Sequence, residues 1–206
     1  MYHKRTHKIF SKIIVGEILK KYFKESKKFI LITGFKNLKI CNAKDFIKKI
    51  REKTSQKVWI QFFDSSLIAS WEHLFFATLN AQLSFKNNSN ISKSMEIETL
   101  LYASTQNQID KAIKIIGLKD ETEDIAIVIV GKNESQIDET LLEISESIGK
   151  EPDDSVIDLS KRKLKKIAKE FNISENEISS VIKKGYINGA VRDIILEKIA
   201  LLSTKS

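Results

Sequence analysis

The sequence predicts a mixed α/β domain in which helix dominates, and three observations carry that prediction. One proline and seven glycines in 206 residues favour long helices joined by short connections over a loop-rich β sandwich. Short apolar runs at Phe29 to Thr33 and Ile125 to Val130 have the length and bounding of strands. Most of the remaining chain repeats its apolar residues at three- and four-residue intervals, the spacing of one helix face. At 42% hydrophobic and 30% charged, the chain has the composition of a folded globular protein.

Residues 1 to 28 form a basic N-terminal extension, in which Ile9, Ile13, Ile14, Ile18 and Tyr22 fall near helical spacing after a short disordered start. Phe29 to Thr33 reads as a strand ended by Gly34, and Asn42 or Ala43 opens a helix with Phe46, Ile47 and Ile50 on one face. Lys57 to Phe63 reads as a second strand, so this half is β-α-β. Asp64, Ser65 or Ser66 then caps a long helix to about Phe85, with Leu67, Trp71, Leu74, Phe75, Leu79 and Leu83 in register and Ile68, Phe76 and Phe85 outside that stripe. Lys93 to Ala103 is a further helix. Ser104 is placed as the N-cap of the next one, which Gly117 ends. Ile125 to Val130, β-branched apart from Ala126, has the pattern of a buried central strand. Gln136 to Ile148 is an amphipathic helix stopped at Gly149, and Ser155 to Leu159 reads as a short edge strand. The rest is helical, with a Ser174–Glu177 capping box and a last helix from about Asn188 to Leu202.

Charge is uneven. Residues 1 to 63 hold 17 Lys and Arg against 4 Asp and Glu, a net +13, and the remaining residues carry −5. A basic half suits a polyanion, because each neutralised phosphate releases counterions. The single Cys41 forms no internal disulfide and is a poor metal ligand by itself, and no apolar run reaches the roughly 18 residues of a membrane span. The expectation is a cytoplasmic protein with no metal, cofactor or membrane partner. No catalytic set emerges either. Gly131-Lys132 lacks the preceding glycine and the following hydroxyl of a phosphate loop, His73 reads as a partly buried helix histidine, and Asp153-Asp154 as a solvated turn.

Two segments stand out. Leu164 to Gly185 has the layout of a helix-turn-helix whose second helix would show Glu175, Asn176, Ser179, Ser180 and Lys183. It supports an alternative function as a DNA-binding regulator. The other segment is Asn90-Ile91-Ser92-Lys93-Ser94, followed by Glu98-Thr99-Leu100-Leu101-Tyr102-Ala103-Ser104-Thr105-Gln106-Asn107-Gln108-Ile109. It resembles the distinctive segment of the small regulatory subunit of the KEOPS complex, the PRPK-binding protein (Cgi/TPRKB) family: N-I-S-R/K-S, then E-x-L-L-Y-A-S-G-x-R-Q-I, then a helix ending in G-V-K, here Gly117-Leu118-Lys119. The similarity takes in Gln61 to Asp64, Trp71 to Leu74, Asn80-Ala81, Asp153 to Ser155 and Leu196 to Leu201, and so covers most of residues 58 to 206. Thr105 and Asn107 replace a family glycine and arginine, and residues 172 to 188 look like an insertion.

The resemblance implies a small mixed or antiparallel sheet flanked by helices over residues 29 to 159, with residues 160 to 206 completing the same domain. It implies a non-catalytic subunit of the complex that makes N6-threonylcarbamoyladenosine in tRNA. Such a subunit binds the kinase-like ATPase subunit, meets other KEOPS subunits indirectly, and recruits tRNA through its 3′ CCA end. Lys93, Ser104, Gln106, Asn107 and Gln108 are the expected tRNA contacts. Trp71, Phe75, Ile195, Ile199 and Leu202 are the expected kinase contacts, because their helices carry more apolar surface than one core-facing stripe requires.

Overall fold

A computed structural model describes residues 19–54, 57–182 and 186–202. Four strands, β1 (Leu19–Phe23), β2 (Lys28–Phe35), β3 (Trp59–Asp64) and β4 (Ile125–Gly131), form one sheet in the order β1-β2-β4-β3 with antiparallel neighbours throughout. β2 and β3 therefore run parallel to each other with β4 between them, a split form of the expected β-α-β. Every residue of β4 is buried. Ile125, Ile127 and Ile129 face one core, and Ala126, Val128 and Val130 face the other, the two-residue alternation of a strand covered on both sides.

On the first face lie α1 (Ala43–Lys53), capped by Asn42, and α5 (Glu134–Ile148), capped by Asn133 and ended by Gly149 at φ 73°. Glycine suits that left-handed position because it has no Cβ. On the second face lie α2 (Trp71–Lys86), α3 (Met95–Ser104) and α8 (Ile187–Leu202). Packed on these in turn are α4 (Ile109–Ile116), α6 (Lys161–Glu170) and α7 (Glu175–Val181). Lys163 ties the C-terminal helices to the sheet layer: its ammonium donates to the carbonyls of Ile68 (3.2 Å), Asp158 (3.1 Å) and Val156. Burial lowers its pKa to about 8.

The structure differs from the sequence reading at four places. The helix expected across Ile9 to Tyr22 lies outside the described residues up to residue 18, and from Leu19 the chain is strand β1. Pairing with β2, through a turn that holds Lys27 at φ 52°, overrides the helical spacing. The long helix from Asp64 is two elements, a 3₁₀ turn at Ser65–Leu67 capped by Asp64 and then α2, which begins after its own cap Ser70. Ser155 to Leu159 is not a strand. Asp153 accepts from the Ser155 backbone (3.0 Å) and starts a 3₁₀ turn at Asp154–Val156 instead. Ser104 closes α3 rather than capping α4, whose cap is Gln108.

Candidate functional site

The segment that carries the resemblance is organised by one buried carboxylate. Glu98, in the first turn of α3, accepts from the backbone amides of Ser92 (2.7 Å) and Ile91 (3.1 Å) and from the Ser84 hydroxyl (3.2 Å). A carboxylate with no exposure is tolerable only with such donors. The Asn90 side chain donates to the Ser92 carbonyl (2.9 Å), the Ser94 backbone to the Ser92 hydroxyl (3.1 Å), and Ser94 caps α3 by accepting from the Ile97 amide (3.2 Å). The Asn-Ile-Ser-Lys-Ser motif is thus a hydrogen-bonded loop, and Lys93 is its exposed cation.

α3 ends in a Schellman turn. The Gln106 amide donates to the Leu101 carbonyl and the Thr105 amide to Tyr102, both at 3.0 Å, with Thr105 at φ 56°. The family glycine at this position has a physical reason: a left-handed residue strains a Cβ, and a β-branched one most. Beyond the turn, Gln106 is half-buried, and Asn107 and Gln108 are exposed. Gln108 precedes α4 without a capping hydrogen bond from its side chain, so the first amides of α4 have no partner inside that helix.

Two of the expected tRNA contacts move. Ser104 is buried with its hydroxyl on the Leu101 carbonyl (3.0 Å) at the end of α3. Lys93 sits before the start of α3 and Gln106 to Gln108 past its end, separated by about 15 Å of a ten-residue helix. They form two spots rather than one.

The expected kinase contacts also divide. Trp71 and Phe75 are half-buried on α2 with ring centroids 5.8 Å apart. Ile195 and Ile199 have no exposure and Leu202 has 9%. All three are core, because α8 is wrapped by α2, α3, α6 and α7. The open apolar side chains on α2 are Phe76 at 42% and Leu83 at 36%. The signal for Phe76 was in the sequence: it falls off the core-facing stripe.

His73 is sealed, not partly buried. Nε2–H donates to the Ala103 carbonyl (2.7 Å), and Nδ1 accepts from the Ala69 amide (3.3 Å). Burial above all, with the charge of Lys163 adding, lowers its pKa to about 4, so it is a neutral link between α2 and α3. Asp153 pairs with Lys36 (3.0 Å), and Asp154 accepts from the Thr33 hydroxyl while burial raises its pKa. Neither is the free solvated turn the sequence suggested. In the helix-turn-helix segment the capping box is present, and Glu177 also pairs with Lys198 (3.5 Å). Glu175 and Glu177 both lie in the first turn of α7, the end that would approach phosphates; Lys183 and Gly185 lie outside the described residues. Among the described residues, no three His, Cys, Asp or Glu side chains group for a metal ion, and no helix is long and apolar enough to cross a membrane.

The family model described as Kinase binding protein CGI-121 matches residues 35–203. The Regulatory protein Cgi121 of Methanocaldococcus jannaschii is 34% identical over 145 residues, covering 70% of this chain and 83% of that protein. The chain belongs to the CGI-121 family of kinase-binding proteins.

Proposed function

We propose that this chain is the non-catalytic subunit of a KEOPS complex, binding its kinase-like ATPase and recruiting tRNA through the 3′ CCA end. The observation that carries the tRNA half is the strip Gln106-Asn107-Gln108. It is held between the Schellman turn of α3 and the open first turn of α4; Asn107 and Gln108 are exposed, and the half-buried Gln106 donates through Nε2 to the Ser104 carbonyl at a long 3.4 Å. Amide side chains offer paired donors and acceptors to the edges of unstacked bases, and free backbone N–H groups at a helix start favour phosphates. Asn107 hydrogen-bonds where an arginine would add charge and stacking. For the kinase half, the half-buried Trp71 and Phe75 beside the open Phe76 and Leu83 give α2 an apolar outer edge.

The test is a double-mutant cycle. Gln106→Ala with Asn107→Ala should weaken binding of intact tRNA by about ten-fold, in the range of two lost hydrogen bonds, and change binding of tRNA lacking CCA very little. Equal affinity of the wild-type chain for intact and tailless tRNA at every salt concentration would refute tail recruitment.

A further inference from the structure

The face of the sheet opposite α3 and α4 carries two helices of opposite charge. α1 has five basic side chains, Lys44, Lys48, Lys49, Arg51 and Lys53, against Asp45 and Glu52, and all seven are exposed. Lys44, Lys48 and Arg51, at i, i+4 and i+7, share one side of the helix around Ile47. Among the described residues the one ion pair on α1 is Lys48–Glu52, at 3.9 Å between two largely exposed side chains, a geometry worth little. Its neighbour α5 carries Glu134, Asp138, Glu139, Glu143 and Glu146 and no basic residue. α5 reaches toward the β1 edge, where Lys20 pairs with Asp138 (2.7 Å). α1 lies toward the β3 edge, where Arg51 donates to the Ile60 carbonyl (3.4 Å).

We propose that the outer side of α1 is a second RNA-contacting surface, which takes the phosphate backbone of the tRNA body while α5 acts as an electrostatic fence beside it. This rests on the reading of the chain as a tRNA recruiter, and it assigns the body contact to a different face from the tail contact. The narrowness of the basic strip selects the partner. A flat anionic bilayer or a broad acidic protein face would cover α1 and α5 together and meet the exposed Glu139 and Glu146 beside the Lys20-paired Glu134 and Asp138. A nucleic-acid backbone is a line of charge that can follow one helix, about 10–12 Å wide, and turn away from the next. Phosphate contacts of this kind position an RNA without reading its sequence.

The experiment uses the full chain with three RNAs, intact tRNA, tRNA lacking CCA, and a short single strand ending in CCA, and with anionic vesicles and polyglutamate as controls, each titrated at several salt concentrations. Lys44→Gln with Lys48→Gln should weaken both tRNAs about five-fold at low salt and flatten the slope of log affinity against log salt by up to about 2, at roughly 0.9 per phosphate. The short strand should bind as before. Glu139→Gln with Glu146→Gln on α5 should tighten both tRNAs. Unchanged tRNA affinity and slope in the α1 variant overturn the proposal, as does a loss confined to anionic vesicles or to an acidic polypeptide. Failure of tail recruitment looks different: intact and tailless tRNA bind alike, the short strand does not bind, and the α1 variant still weakens both tRNAs. No binding of any tRNA overturns both.

Discussion

α1 and α5, on one face of the sheet, bury one side and present charge on the other, whereas α2, α3 and α8, on the opposite face, bury residues on more than one side, with charged residues such as Asp193 and Glu197 confined to what remains open. The single-sided pair forms the outer layer of the molecule. The other three are an inner layer, covered by α4, α6 and α7 and held by largely buried polar links: His73 to Ala103, Glu98 to the loop before α3, and Lys163 to three carbonyls. A helix apolar on more than one face is therefore ambiguous from sequence. It meets either a partner or a second layer of its own chain, and for α8 the second layer wins.

The contrast breaks most sharply at α8. Ile195→Glu places an unpaired charge where exposure is zero, and a loss above about 4 kcal/mol is expected, enough to abolish a cooperative unfolding transition in chemical denaturation. Phe76→Glu with Leu83→Glu, on the open side of α2, should change stability by less than about 0.5 kcal/mol and still remove capture of the kinase partner. If the Ile195 variant kept wild-type stability, the inner layer would not exist as described.

A smaller effect comes from His73. The folded state holds its pKa near 4, while the unfolded chain keeps the ordinary value of about 6.5. Between those values the unfolded state alone takes up the proton, so stability is complete above about pH 6.5 and falls as pH drops through 4. The loss is about 3 kcal/mol. Denaturation curves at pH 7, 5.5 and 4 should show it, and His73→Gln should flatten it; an identical pH dependence in that variant would mean that other groups govern acid unfolding.

A purely local effect lies at the turn from α3 to α4. Thr105→Gly should stabilise the protein by about 1 kcal/mol, since the left-handed backbone strains a β-branched residue. A drop in melting temperature would show that the threonine side chain contributes more than its conformation costs.

Much of the frame was legible in the residues. β4 declared itself as an uninterrupted apolar run, α1 and α5 by single-sided periodicity and glycine or asparagine boundaries, and α7 by its capping box. Strand β1 was not legible, because Leu19 to Phe23 is an edge strand whose form depends on β2 alone, and its spacing also fits a helix. The candidate site was half legible. The segment stood out, yet which of its residues face solvent depends on the Schellman turn, and a serine near a helix boundary reads equally as the end of one helix or the cap of the next. The burial of Ile195 and Ile199 depends on α8 packing against α2, which lies more than 100 residues earlier in the chain, a contact that no local pattern encodes.

The carboxylate of Glu98 has a kinetic consequence for the loop it holds. Ile91 and Ser92 belong to no helix or strand and, with the Ile91 side chain well exposed, would be expected to exchange their amide hydrogens with solvent within moments. Both amides instead point inward onto a buried anion. Exchange there requires α3 itself to open, so these two amides should carry protection close to that of the core strands.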